Sequence, residues 1–276
     1  MEANKWLKTP KGYVTIAMAA YLIIASVGAK TVMGIINSLV AVLVCMVVDR
    51  LYCRLKNRRS SKDATVITGL IISLVFSVTT PWYMVAGTAV IAILSKHIFV
   101  YKKKPIFNPA AFGLFLSVFI FHTGQSWWGA FGDLSWWMIS LLLIGGYIIT
   151  ERVNKFPQVL SFLGTFFVLL FLMGCFDIGG AADALRPPFI NAALFFCFFM
   201  LTDPPTSPAK YSKQVVFGVL SAISGIIIYG LFGGLTYLFV GLFVGNIYSY
   251  YQKQSSSKSA VLRNQVKPVQ RALRSK

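Results

Sequence analysis

The chain has 276 residues, 57% of them hydrophobic, 15% aromatic and only 12% charged, about half the charge of an average soluble domain. A mean hydropathy of +0.70 over that length excludes a water-soluble fold, which could not bury so much apolar surface. The net charge of +18 does not mark a nucleic-acid partner, because the cations form short clusters between apolar runs instead of a patch on a polar scaffold.

The apolar runs, in chain order, cover about 13–29, 31–48, 65–80, 81–97, 109–122, 135–150, 158–176, 189–202, 215–232 and 233–250. They predict an all-α integral membrane protein of about ten segments. The run after the polar stretch Met1 to Gly12 lacks a small-residue cleavage site and reads as a retained first span. Segments 65–80, 109–122 and 189–202 fall short of the roughly 20 residues needed to cross a bilayer, which predicts broken or re-entrant helices. Cys45, Cys53, Cys175 and Cys197 have no paired spacing, so neither a zinc nor an iron–sulfur site is expected. No nucleophile triad or phosphate loop is present.

If every run crosses and both termini are cytoplasmic, all of the 26 lysines and arginines except Lys30 and Arg186 fall on the inner side. That bias predicts a multi-pass plasma-membrane protein with both ends inside. The tail from Gln252 to Lys276, rich in Ser, Lys and Arg, reads as a disordered or lipid-surface arm. The expected units are an N-terminus 1–12, a first five-segment half 13–154, a second half 155–250 and the tail 251–276. Five segments is an odd number, so the halves would be inverted, an architecture that recurs in membrane proteins. Each half is interrupted, at Thr79-Thr80-Pro81-Trp82 and Phe107-Asn108-Pro109-Ala110 in the first and Thr202-Asp203-Pro204-Pro205 in the second. Gly233-Gly234 is a candidate counterpart to Asn108-Pro109. Paired breaks of this kind point to helix ends meeting at a site.

Asp63-Ala64-Thr65 with Thr68-Gly69-Leu70, then Pro81-Trp82, Lys96, Phe107-Asn108-Pro109-Ala110 and Thr202-Asp203-Pro204 form an ordered set over residues 40 to 250. This set resembles the NQR2/RnfD/RnfE family, whose members are membrane components of the Rnf complex and of the sodium-pumping Nqr complex. The resemblance implies ten helices in two inverted halves, similar in shape to urea transporters. It also implies flavin, as FMN or riboflavin, within an ion-pumping or extracytoplasmic electron-transfer complex. The implied partners are other membrane and flavoprotein subunits, the lipid bilayer and a quinone. Family members commonly carry FMN on the last threonine of a Ser-Gly-Ala-Thr-like motif in the outer loop after the Asn-Pro-Ala helix. This chain has no such motif; its loop reads His122-Thr123-Gly124-Gln125-Ser126-Trp127-Trp128. Ser126 is the acceptor if Thr123 to Ser126 is a degenerate form, and non-covalent flavin is the alternative.

Asn108 with Pro109 starts a helix, either as a plain cap or as a positive helix end that attracts a flavin phosphate or a quinone oxygen. Asp203 with Thr202, at a membrane boundary before prolines, is a functional candidate or a capping turn. Asp63 with Thr68 is the matching candidate in the first half, with an N-cap as its plainer role. Trp127, Trp128, Trp136 and Trp137 suit an interfacial belt or stacking around a flat isoalloxazine or quinone ring, with Trp127 as the candidate contact. His97 and His122 are too far apart in this topology to share a metal. The expected function is electron transfer through bound flavin, with a redox-silent solute transporter or channel on the same scaffold as the alternative.

Overall fold

The computed structural model describes residues 6–58 and 60–274, and the side chains up to residue 257. Ten apolar helices follow one another: α1 (Pro10–Gly28), α2 (Met33–Leu55), α3 (Lys62–Val75), α4 (Trp82–Ile98), α5 (Pro109–Phe121), α6 (Ile139–Val153), α7 (Phe156–Cys175), and then, after the four-residue helix α8 (Ala181–Ala184), α9 (Phe189–Phe195), α10 (Tyr211–Phe232) and α11 (Tyr237–Arg274). A π-helical turn, Phe196–Leu201, prolongs α9. The chain is not purely helical: β1 (Val100–Tyr101) pairs antiparallel with β2 (Lys104–Pro105) in a small hairpin before α5. Lys102 and Lys103 at its tip both take positive φ, which no run of apolar residues announces.

Among the described residues, five helices are long and apolar enough to cross a membrane: α1, α2, α7, α10, and α6 with its leading turn from Trp136. By contrast α3 has 14 residues and α5 has 13, only about 20 Å of helix at 1.5 Å per residue. Ser61 stands at the N-cap of α3, with Asp63 in the first turn, so Asp63 is not the cap expected of it. Both α3 and the α9–π segment lie at the centre. Every residue from Thr68 to Val75 and from Asn191 to Leu201 is buried, and a helix apolar all round is one surrounded by protein.

In the first half α1 packs on α3, α2 on α4 and α4 on α5; in the second, α6 packs on α9, α7 on α10 and α10 on α11. Close contacts rest on small residues, as is usual where lipid gives no hydrophobic drive to helix pairing. A Cβ at Gly69 would stand 2.8 Å from the backbone of Val42 on α2, and one at Gly241 would strike the Ser221 carbonyl on α10. Gly233 and Gly234 join α10 to α11 with φ of 66° and 68°, a left-handed turn that glycine adopts without strain.

The last helix runs to Arg274, so the backbone of the tail is helical within the described residues. Its backbone continues the helix started inside the bundle. Trp136 and Trp137 are exposed, as an aromatic belt requires, but Trp127 and Trp128 are core residues. The Trp128 Nε1–H donates to the Ser73 carbonyl at 2.7 Å, and its ring fills the space left by Gly34. Trp127 stacks on Phe239 at 5.6 Å.

Candidate functional site

Two of the three breaks, Asn108-Pro109 and Thr202-Asp203-Pro204, meet at one end of the bundle, while Thr79-Thr80-Pro81-Trp82 lies in the α3–α4 connection, away from them. At the first, the Asn108 side chain accepts from the Ala111 N–H at 3.1 Å, while Pro109 takes the first helical position, where its missing N–H costs nothing. The backbone N–H of Asn108 donates to Asn246 Oδ1 on α11 at 3.1 Å. Its side-chain amide reaches the Met200 carbonyl, in the π turn, at 3.4 Å. At the second break, Pro204 and Pro205 stop the helix and a turn forms around Asp203. Thr206 Oγ1 donates to Asp203 Oδ2 at 2.9 Å and Ser207 Oγ to the Asp203 carbonyl at 2.7 Å. Asn246 Nδ2 reaches the Thr206 carbonyl at 3.5 Å. Asn246 is thus a fully buried bridge between the two interruptions.

A cavity of about 390 Å³ opens between them, within the size range of small-molecule sites. Ile67, Ile71, Ile149 and Phe199 give it an apolar wall; Thr68, Asn108, Pro109, Thr202 and Asp203 lie along it with four lysines, Lys11, Lys96, Lys103 and Lys104. Among the described residues Asp203 is its one acid. Burial pushes the Asp203 carboxyl up to about 6, against the Thr206 hydrogen bond and the nearby cations Lys253, Lys11 and Lys155. Lys155, buried beside it, is brought down to about 8 by its own burial and donates to the Pro208 carbonyl. An apolar wall fringed by four lysines suits an anionic group on an apolar body.

Five of the eight residues singled out from sequence line this one cavity: Thr68, Asn108, Pro109, Thr202 and Asp203. Asp63 is close but turned away, accepting from Trp6 Nε1 at 3.1 Å. Ser126 and Trp127 lie at the far end of α3. The Ser126 N–H donates to the Val75 carbonyl at 3.0 Å and its hydroxyl to the Phe76 carbonyl at 3.2 Å, about 6 Å along the helix beyond Ile71, the nearest α3 residue of the cavity wall. Trp127 is 1% exposed and walled by phenylalanines, so it has no free face for a ring of another molecule.

Sequence reasoning missed Asn246, whose only signal was a lone amide in an apolar segment. It also missed how Lys96 is held. The ammonium lies 2.9 Å from Asp49 on α2 and 3.1 Å from Thr65 Oγ1, so a fully buried acid aims a cation at the cavity. His97 Nε2 sits 2.8 Å from the same Asp49 oxygen, and Ser60 completes the set. Asp49, Cys53 and His97 have the side-chain types of a metal site and lie within 4.8 Å. The His97–Asp49 separation, however, is a hydrogen bond, shorter than the roughly 3.3 Å between two ligands of a tetrahedral zinc, and Lys96 already balances the charge.

A sequence model of the NQR2, RnfD, RnfE family matches the chain in two stretches, residues 2–135 and 121–237. No curated protein matches it.

Proposed function

The chain belongs to the NQR2, RnfD, RnfE family and is a membrane component of the Rnf and Nqr type; from this we propose that it holds a flavin, FMN or riboflavin, in the cavity between its two breaks and passes electrons through it within a multi-subunit complex. The observation that carries the reading is the convergence of Asn108 and Asp203, 95 positions apart in sequence, on one apolar cavity fringed by lysines. The residues present fit the group. Lys11, Lys103 and Lys104 with the start of α5 would hold its phosphate, and Ile67, Ile71, Ile149 and Phe199 would face its ring system. When bound, the flavin supplies the one- and two-electron chemistry, and the protein supplies position, charge and exclusion of water. Asn246 locks the two cavity edges together, and Lys96, held by Asp49, places its ammonium on the wall. Partner flavoprotein and membrane subunits, with a quinone, would complete the electron path, and coupling to ion movement belongs to the same proposal.

The covalent route finds less support. Ser126 spends its hydroxyl on the Phe76 carbonyl in a loop bridged to the end of α3, so non-covalent flavin is the form we favour. The proposed architecture is a pair of inverted halves, similar in shape to urea transporters. Its support is the repeated pattern of helix pairing and the placing of the α3–α4 and α9–α10 connections at opposite ends of the bundle. The proposed orientation puts the cavity and both termini on the cytoplasmic side of the plasma membrane, in keeping with the lysines gathered there.

A second reading, a redox-silent carrier of an anionic solute on the same scaffold, is favoured by the absence of a Ser-Gly-Ala-Thr motif. Flavin absorbance of the chain, purified in detergent after expression with its partner subunits and measured before and after acid precipitation, separates the readings. Flavin in the supernatant is the expected result. Flavin in the pellet would mean a covalent bond, and well-folded protein without flavin would leave the solute carrier.

A further inference from the structure

Beside the proposed flavin cavity, and sharing only Lys104 and Pro204 with it, a second cavity of about 670 Å³ opens at the same end of the bundle. Its walls are the β1–β2 hairpin, the turn after Asp203, the start of α10 and the middle of α11. Five lysines line it, Lys102, Lys104, Lys210, Lys213 and Lys253, and among the described residues no acid does. None of the five belongs to an ion pair among those residues. Lys253 uses one hydrogen on the Pro205 carbonyl at 2.7 Å; burial, and then the neighbouring Lys104, lower its pKa. Gathering like charges around a hollow costs free energy unless an anion enters it.

A second, independent observation points the same way. Ser249, on the cavity wall, is fully buried, and its hydroxyl has no hydrogen-bond partner among the described residues. A buried hydroxyl without a partner is costly to keep out of water and is a ready donor to an anionic oxygen.

The surroundings say what kind of anion. Tyr211 stands at the start of α10 with 56% exposure, next to the lysines, and exposed Val215 and Val216 follow one turn later; Ile247 and exposed Tyr251 repeat the sequence on α11. Lysines, then tyrosines, then bare aliphatic side chains is the order met on passing from water through the headgroup region into hydrocarbon. A free phosphate would use the lysines alone, whereas a phospholipid would use all three layers.

We propose that this cavity binds the phosphate headgroup of an anionic phospholipid, with the acyl chains lying along the exposed aliphatic faces of α10 and α11. Basic pockets between helices at the inner face recognise such headgroups. The site is independent of flavin: it would persist in the solute-carrier reading.

Native mass spectrometry of the full chain, delipidated in detergent and titrated with phosphatidylglycerol, phosphatidylcholine or inorganic phosphate, tests it. Phosphatidylglycerol should be retained and phosphatidylcholine lost. At about 1 kcal/mol per lysine near the surface, the double variant Lys210→Gln, Lys213→Gln should weaken retention about thirtyfold. Lys56→Gln with Arg58→Gln, exposed on the same basic end but outside the cavity, should leave it unchanged. Melting temperature, read in parallel, shows that both variants are folded. Equal retention of the two lipids, an equal loss in the control variant, or binding of inorganic phosphate without preference for phosphatidylglycerol would each overturn the assignment.

Discussion

Replacing Lys96 by methionine should destabilise the protein sharply, through Asp49. The carboxylate of Asp49 has no exposed surface; it is met by the Lys96 ammonium at 2.9 Å and by His97 at 2.8 Å, with His97 itself stacked on Tyr52 at 4.2 Å. Methionine keeps the packing of the lysine stem and removes only the charge and its hydrogen bonds. Removing one partner of a buried pair costs about 3–5 kcal/mol, and here the carboxylate keeps only its His97 and Ser60 hydrogen bonds. At about 2 °C per kcal/mol for a chain of this size, the melting temperature in detergent, followed by tryptophan fluorescence, should fall by roughly 6–10 °C. Adding Asp49→Asn to the variant should restore much of the loss, because the stranded charge goes with it. The reasoning fails if Lys96→Met costs less than about 1 kcal/mol, the ceiling for an exposed pair, or if the double variant loses the sum of the two single losses.

Three further outcomes are expected. Gly69→Ala should cost about 1–3 kcal/mol, because its Cβ would lie 2.8 Å from Val42 backbone atoms and α2 and α3 must separate; an unchanged melting temperature would refute that close approach. Asp203 has a folded pKa of about 6 against an ordinary 3.8, so between these values the native state holds the proton more often than the unfolded one. Stability from this group therefore rises as pH falls through about 6 and is complete below the unfolded value. Asp203→Asn should flatten the dependence of melting temperature on pH in that window and strengthen anion binding at neutral pH. Trp127→Ala should cost about 3–5 kcal/mol as a core truncation while leaving flavin content per folded protein unchanged; loss of flavin from folded variant would restore Trp127 as a cofactor contact.

How much was legible varied by residue. Asn108-Pro109 and Thr202-Asp203-Pro204 announced themselves because caps and prolines act on their own backbone, within a turn of where they stand. Ser126 was chosen from a pattern of neighbours, and its hydroxyl is instead engaged by the Phe76 carbonyl, 50 positions earlier. Four tryptophans close in sequence looked like a single belt. Two are exposed and two are buried, because the turn at Trp127 and Trp128 folds back over the end of α3, and composition does not distinguish a ring facing lipid from one facing protein.

The amino-acid sequence alone determined the membrane class, the ten apolar segments, the three short ones among them and the breaks at Asn108-Pro109 and Asp203-Pro204, since each depends on local hydropathy and backbone preference. Only the tertiary structure decided that Asn246 joins Asn108 to Thr206, that Asp49 holds Lys96, and that Ser126 and Asp203 lie at opposite ends of the bundle. Those relations arise from helices distant in the chain packing side by side, and a contact between distant residues leaves no mark on the neighbours of either.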